Sequence, residues 1–252
     1  MSELITNLNN ILDIKGNIKS ALENKGVDMT GVSFPGYAGK IGEISGGGGW
    51  DQKSFTEGTV EIINLDNSAS FVASSAFMSN TTIQTVNLPY ATSVGNNAFY
   101  KCFSLRQVNL PVCSYIGSSA FYNCQSLSQI SFPMCNYIDN SAFNNCKSLS
   151  QVSLPVCGYI GSNAFFNCQS LSQVSLPVCS YIGGLAFYSC SSLSIITIGY
   201  SGVCSLGDAQ VFFITQITSS TGSIYVPASL VDEYKVTLRW SNFSTQIFPI
   251  PE

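Results

Sequence analysis

The chain has 252 residues, enough for one or two domains, and 45% of them are hydrophobic, which is ample for a packed core. Its formal net charge is only −4, and the long segment 67–207 contains just four charged residues: Lys101, Arg106, Asp139 and Lys147. Nucleic-acid binding requires clustered lysine and arginine side chains that displace counterions from phosphates. Because the chain has no such cluster, we exclude DNA and RNA as partners.

The N-terminal residues show none of the basic, apolar and small-residue regions of a secretion signal. No stretch approaches the roughly 18 apolar residues that a membrane span needs. We therefore expect a chain that is made in the cytoplasm and does not insert into a membrane. Ten cysteines in 252 residues are too dilute for a small protein held together by disulfides.

Residues 1–49 predict a small helical module with a glycine-rich linker at its end. The apolar residues of its first helix alternate steps of four and three, the spacing of a coiled-coil seam, although Lys15 interrupts the series. These seam residues are Leu4, Leu8, Ile11, Ile18 and Leu22. So small a unit makes a poor core alone, which favours oligomerisation, with a trimer preferred, or docking to another protein. A hairpin packed on itself is the alternative.

Two stretches of this module carry a family resemblance. Residues 14–26, with the run Ile18-Lys19-Ser20-Ala21-Leu22, and the run Tyr37-Ala38-Gly39-Lys40-Ile41 resemble a short segment of tail-fibre and other structural proteins of tailed bacteriophages. The resemblance implies a protein attached to a virion, and it identifies no catalytic residue.

A 22-residue unit repeats with few changes between Asn80 and Cys190, after a predicted capping strand and irregular first coil in residues 50–79. Cysteines recur at 102, 124, 146, 168 and 190 and again at 113, 135, 157 and 179, and Phe99, Phe121, Phe143, Phe165 and Phe187 keep the same step. A strict period of this length predicts a solenoid, because each unit buries its apolar face only by stacking on the next. We therefore assign residues 80–199 to repeats.

Within each unit the spacing Leu105-x-x-Val108-x-Leu110 matches the leucine-rich-repeat pattern. The period-2 rule of strands points Val108 and Leu110 inward and Gln107 outward. A second short strand or turn follows at 115–117, with its isoleucine inside.

The combination Ala-Phe-x-x-Cys-x-Ser-Leu-x-x-Val-x-Leu-Pro, as in residues 98–111, resembles the BspA-type (Treponema-type) leucine-rich repeats of bacterial surface proteins. The resemblance covers residues 71–198. Departures are local: Asp139 replaces the glycine held by Gly117 and Gly161, and Asn80 and Ala91 replace two cysteines. The family implies adhesion to proteins or cell surfaces, with no shared active site.

The regular cysteines predict no metal site, because the chain has no histidine and no Cys-x-x-Cys motif. Disulfides between adjacent coils are sterically conceivable, since the coil spacing lies near the permitted Cα range. The favoured alternative is a set of small buried thiols. We also predict no cofactor.

Two outward columns of side chains are candidate binding surfaces. One consists of Gln107, Gln129, Gln151 and Gln173, and the other of Tyr115, Tyr137, Tyr159 and Tyr181, with Tyr100, Tyr122, Phe166 and Tyr188 on the adjoining turn. Tyrosine, serine and asparagine with little charge are typical of adaptable binding surfaces, suited to an uncharged glycan or a protein loop. The alternative is that identical polar residues simply form solvated ladders on a repetitive sheet.

Residues 200–252 predict a C-terminal cap, because the period fails after Ile198. A helix through Leu230, Tyr234 and Leu238 is expected to follow Pro227, with a last strand at 246–250. This ending resembles the ending of BspA-type proteins, including those of phages. A distal tip that touches a receptor is the alternative function for this part.

Catalysis is not predicted. A hydrolase triad needs a histidine base, and the chain contains no histidine. Glycoside hydrolysis needs two facing carboxylates, and the repeats contain a single acidic residue, Asp139.

The sequence thus predicts a mainly β fold: a leucine-rich-repeat solenoid of about five to six 22-residue coils, with an N-terminal α-helical module and a C-terminal α+β cap. The predicted function is that of a structural, adhesive phage virion protein, a tail or other fibre component. Its partners would be other virion proteins or sister chains and a host surface protein or neutral glycan. Alternatives are a BspA-like adhesin on a bacterial cell surface and a purely architectural virion decoration.

Overall fold

The computed structural model describes residues 71–251 and the backbone of residues 62–64. The predicted N-terminal helices and linker, with Leu4, Leu8, Ile11, Ile18 and Leu22, lie outside the described residues. In the described part each coil contributes two short strands, and equivalent strands of successive coils lie side by side in parallel. Sixteen strands result, numbered here in chain order.

The odd-numbered strands and β16 form the first wall of the solenoid. They are β1 (Ile62–Asn64), β3 (Thr85–Asn87), β5 (Gln107–Asn109), β7 (Gln129–Ser131), β9 (Gln151–Ser153), β11 (Gln173–Leu176), β13 (Ile195–Ile198), β15 (Ser223–Val226) and β16 (Ile247–Pro249). Hydrogen bonding joins β1 to β7 in one sheet and β9 to β16 in another, so the wall is interrupted between β7 and β9.

The remaining even-numbered strands form a continuous second wall. They are β2 (Phe71–Val72), β4 (Ser93–Val94), β6 (Tyr115–Ile116), β8 (Tyr137–Ile138), β10 (Tyr159–Ile160), β12 (Tyr181–Ile182) and β14 (Ser205–Leu206). The register pairs identical repeat positions, as in Tyr115 with Tyr137 and Tyr159 with Tyr181. The predicted mainly β solenoid of 22-residue coils is confirmed.

The core lies between the walls and consists of columns in which one residue type recurs in most coils. Val108, Leu110 and Ile116 are buried as the alternation predicts, while Gln107 is exposed. The central column is a stack of phenylalanine rings whose centroids lie 5.1–5.9 Å apart, formed by Phe77, Phe99, Phe121, Phe143, Phe165, Phe187 and Phe212. Each coil thus gains a buried apolar neighbour on both sides, which a single coil lacks.

The turn after the second strand contains two left-handed residues in each of six successive coils. Positive φ angles recur at Ser75, Asn97, Ser119, Ser141, Asn163 and Leu185, and again four residues later at Ser79, Lys101, Asn123, Asn145, Asn167 and Ser189. Asparagine adopts this backbone conformation more readily than most residues. The recurring asparagines of the repeat are thereby explained by backbone geometry.

The coil continues beyond the point where the 22-residue period fails. Tyr181 pairs with Ser205, 24 residues later, and Ile195 pairs with Ser223, 28 residues later. The extra residues leave the core as loops, while Leu206, Phe212 and Ile224 occupy buried repeat positions. An irregular sequence therefore still forms one more coil, because only its inward residues must fit.

A short helical segment covers the end of the second wall. A 3-10 helix (Ala228–Leu230) leads into α1 (Val231–Val236), and a second 3-10 segment spans Trp240–Gln246. The hydroxyl of Tyr234 accepts the backbone N–H of Cys204, and Trp240 Nε1 donates to the carbonyl of Cys204. The cap therefore satisfies backbone groups of the loop leading into β14, the last strand of that wall.

The helix predicted through Leu230, Tyr234 and Leu238 forms but ends two residues before Leu238. The helix ends at Val236, Thr237 is extended, and Arg239 has a positive φ of 74°. Leu238 is consequently 79% exposed. The turn at Arg239 places Trp240 where its Nε1 donates to the carbonyl of Cys204. The helical spacing of the sequence does not predict this tertiary contact.

Candidate binding surfaces

The four predicted glutamines, Gln107, Gln129, Gln151 and Gln173, all lie exposed on the first wall, one per coil. Beside them the carboxamide of Asn109 donates to that of Asn87 at 2.8 Å. The column is therefore a row of neutral donors and acceptors with a repeat of one coil.

A hollow of about 350 Å³ lies where this wall is interrupted. Three of the four glutamines line it, and Gln173 does not. Its lining consists of Gln107, Val108, Asn109, Ser128, Gln129, Ile130, Ser131, Ser150 and Gln151. Carboxamides and hydroxyls dominate this lining, and it contains no charged residue. The structure thus gathers part of the predicted column into one concave site.

The coil that contains β7 differs from its neighbours at the positions that shape the hollow. Phe132 stands where Leu110 and Leu154 stand in adjacent coils, and its ring lies 6.2 Å from Phe121 and 5.9 Å from Phe143. A phenylalanine in a leucine position needs additional space between coils. In this same coil Ile130 is only half-buried, and β7 is not hydrogen bonded to β9.

The predicted tyrosines form a stacked ladder on the second wall. Ring centroids of Tyr115, Tyr137, Tyr159 and Tyr181 lie 5.5, 4.4 and 5.0 Å apart in succession. Tyr115 also donates its hydroxyl to Asp139 at 2.9 Å, and partial burial together with this carboxylate raises its pKa. Because the rings cover one another's faces, the ladder presents mainly ring edges and hydroxyls.

Comparison with known proteins identifies the repeat. The family model for the BspA type leucine rich repeat region matches residues 50–157 and 136–226, in six copies, which together cover more than half of the chain. The chain belongs to the BspA-type leucine-rich repeat family. No curated protein sequence matches it.

Three solved structures resemble this BspA-type chain. A leucine-rich repeat protein of T. pallidum is 30% identical, covering 54% of this chain and 70% of that one, with a TM-score of 0.49. One from Bacteroides ovatus is 24% identical over 62% of this chain and 43% of that chain, with a TM-score of 0.52. A leucine rich cell surface protein of Faecalibacterium prausnitzii is 25% identical, covering 53% and 44%, with a TM-score of 0.43. The match therefore spans less than half of the latter two chains.

The cysteines of the BspA-type coils are buried hydrogen-bond donors. All ten are free thiols. In one column each thiol donates to the carbonyl of a phenylalanine in the preceding coil, as from Cys124 to Phe99 at 3.1 Å. In the other column the acceptor is the tyrosine two residues later, as from Cys113 to Tyr115 at 3.3 Å. These contacts favour the interpretation of the cysteines as packing residues over metal ligands or disulfides.

We expect ten thiols to titrate after denaturation without reductant, and almost none before it. Burial raises the pKa of Cys113 to about 11 and that of Cys102 to about 12, so their reactive thiolates are scarce at neutral pH. A hydrogen bond with Cys204 lowers the pKa of Cys179, but this thiol is buried away from the reagent like the others. A colorimetric thiol reagent at pH 8, with and without guanidinium, measures both numbers. Substantially fewer than ten thiols in the denatured sample would show that disulfides form.

In the part of the chain that the structure describes, no three histidine, cysteine, aspartate or glutamate side chains are placed to hold a metal ion. None of the helices described there is long and apolar enough to cross a membrane.

The hollow itself was not predicted from the sequence. The signal that could have indicated it was the replacement of leucine by Phe132 in one of five nearly identical units.

Proposed function

We propose that this chain is an adhesive structural protein of a bacteriophage virion. Its BspA-type coils would bind a host surface component, and its N-terminal module would join it to the virion or to sister chains. Two observations support the proposal: the N-terminal resemblance to phage tail-fibre proteins, and a repeat family that consists of binding scaffolds. The predicted Tyr115, Tyr137, Tyr159 and Tyr181 column stays a second candidate surface.

The observation that carries the binding role is the neutral hollow between β5, β7 and β9. Gln107, Gln129 and Gln151 all line this one hollow. Each carboxamide offers two N–H donors and one carbonyl acceptor, so the hollow is suited to bind a polar, uncharged ligand through hydrogen bonds. A volume of about 350 Å³ is within the range of small-ligand sites and of a single protruding protein side chain with its backbone.

Replacing Gln129 with alanine is expected to weaken adsorption to cells about tenfold, the effect of losing about 1.4 kcal/mol of hydrogen bonding in the hollow. The measurement is flow cytometry of the fluorescently labelled full chain on a panel of intact bacterial strains. Gln173→Ala is the matched control, because Gln173 belongs to the same column outside the hollow. Equal adsorption of the two variants would contradict a role for the hollow, and adsorption of the unmodified chain to no strain would contradict the adhesive function.

We expect the full chain to form a trimer through its predicted seam, with three times the chain mass of 27.0 kDa in light scattering. Leu8→Asp places a charge in the seam and is expected to yield a monomer. Asn9→Asp adds the same charge beside the seam and is expected to leave the trimer intact. A monomeric full chain would contradict the oligomerisation prediction.

A further inference from the structure

One position of the apolar core opens onto the hollow between β5, β7 and β9. Ile130 lines this hollow and is half-buried. The residues at its repeat position in the other coils are at most 5% exposed, and they are Val86, Val108, Val152, Val174 and Ile196. The interruption of the first wall therefore gives a ligand access to an aliphatic core residue at this level of the solenoid.

The main chain of Ile130 also faces the interruption. The backbone N–H of Gln129 donates to the carbonyl of Arg106, and the carbonyl of Ser131 accepts the N–H of Leu110, so both residues bond to the preceding coil. Because the backbone groups of successive strand residues point to opposite sides, the N–H and C=O of Ile130 point toward β9. β7 is not hydrogen bonded to β9. A donor and an acceptor of the main chain therefore lie beside the aliphatic side chain.

The rim of the hollow consists of carboxamides that keep their hydrogen-bonding groups for a ligand. Gln107, Gln129 and Gln151 are exposed, and within the described residues none of their side chains forms a hydrogen bond. Carboxamides on the adjoining turn pair with each other instead, as in the donation from Gln125 to Asn123 at 2.9 Å. The hollow thus combines neutral donors and acceptors at its rim with an aliphatic contact at its base.

This combination complements an acetamido group. An acetamido group is uncharged and has one N–H donor, one carbonyl acceptor and a methyl group. Its donor and acceptor match a glutamine carboxamide or the backbone of Ile130, and its methyl group matches the side chain of Ile130. No aromatic residue lines the hollow, so a plain hexose finds no ring for its C–H face there and has no methyl group for Ile130. The chemistry of the hollow therefore favours an N-acetylated sugar over a plain one.

The geometry of the wall disfavours an extended peptide as the ligand. Extended peptides bind sheets by adding a strand to a free edge. The edges of β7 and β9 face each other, and Cα atoms of the two strands approach within 8 Å. A strand inserted between them needs about 9.6 Å, which is twice the strand spacing. The interruption is therefore too narrow for an added strand, whereas a small group can enter the hollow from outside.

We propose that the hollow binds the acetamido group of a neutral N-acetylated sugar, through the carboxamide of Gln129 and the backbone and side chain of Ile130. This inference rests on the proposed adhesive function and names the ligand class of the same site. A volume of about 350 Å³ accommodates one such sugar of a longer glycan.

Binding of methyl glycosides to the full chain tests this inference. We expect calorimetry and saturation-transfer NMR to detect the methyl glycoside of at least one N-acetylhexosamine, with the matching plain hexose at least tenfold weaker. Gln129→Leu removes the hydrogen-bonding groups at nearly the same side-chain size and is expected to weaken binding about tenfold. Gln173→Leu is the matched control, because Gln173 belongs to the same column outside the hollow. Both glutamines are exposed, so both variants are expected to keep the melting temperature of the unmodified chain.

Binding of no N-acetylhexosamine glycoside overturns the inference, and so does equal binding of glycosides with and without the acetamido group. Equal affinities of Gln129→Leu and Gln173→Leu also overturn it. N-acetylalanine N-methylamide carries the same amide without a sugar, and its binding in place of the glycosides overturns the inference in favour of a protein ligand. Adsorption to cells without glycoside binding refutes the sugar inference alone. Glycoside binding without adsorption to any strain supports the sugar site and contradicts the adhesive function.

Discussion

Replacing Trp240 with alanine is expected to lower the free energy of unfolding by about 3–5 kcal/mol, the range for removing a large buried aromatic side chain. Trp240 is fully buried and lies 5.1 Å from the ring of Tyr234 and 5.9 Å from that of Phe212. Its Nε1 also donates to the carbonyl of Cys204. The substitution therefore creates a cavity and leaves a buried acceptor unpaired at the open end of the second wall.

Circular dichroism during guanidinium denaturation measures this effect, and Leu238→Ala provides the matched control within the cap. Leu238 is 79% exposed, so its truncation is expected to change the free energy of unfolding by less than about 0.5 kcal/mol. Trp240→Phe retains most of the ring contacts without the Nε1 donor and is expected to lie between the two. Similar values for Trp240→Ala and Leu238→Ala would refute the capping role.

Replacing Gly183 with alanine is expected to destabilise the solenoid by about 3 kcal/mol, through overpacking. A Cβ atom at Gly183 would lie 2.4 Å from the nitrogen of Ser162 and 2.5 Å from the carbonyl carbon of Gly161. Both are backbone atoms of the preceding coil, so no side-chain rotation relieves the overlap. Two coils must separate, which weakens the core stack and the second wall together.

Gly158→Ala is the control for this prediction, because a Cβ there would meet its nearest neighbour, the carbonyl oxygen of Asn136, only at 4.0 Å. We expect that variant to unfold at nearly the same guanidinium concentration as the unmodified chain. Equal destabilisation by the two alanines would show that the coils do not approach as closely as the structure indicates.

Asp139 is the natural exception in the column of Gly117, Gly161 and Gly183. Its carboxylate accepts the hydroxyl of Tyr115 and the backbone N–H of Asn140, so the side chain leaves the coil interface toward polar partners. The same coil carries Phe132 and borders the interruption between β7 and β9. The departures of a single coil from the repeat thus coincide with the hollow.

Much of the fold followed from periodicity. The alternation around Val108 predicted which residues are buried, and the position of Tyr115 and Ile116 predicted the second strand. Burial and strand position repeat every 22 residues, because each regular coil packs against an almost identical neighbour. The pattern of one unit therefore predicts the structure of the other regular units. The helix ends before Leu238, where the backbone turns and Trp240 donates to the carbonyl of Cys204, a tertiary contact that the helical spacing could not predict.

The sequence by itself determined the solenoid, its inward and outward faces and the row that contains Gln129. Each of these depends on the spacing of residues within one unit, which stacking then repeats from coil to coil. Only the tertiary structure decided that the first wall opens beside Gln129 and that Tyr137 and Tyr159 cover each other's faces. Those features depend on how one unusual coil fits between two regular ones. Contacts between coils, unlike the spacing within a coil, become defined only when the chain is folded.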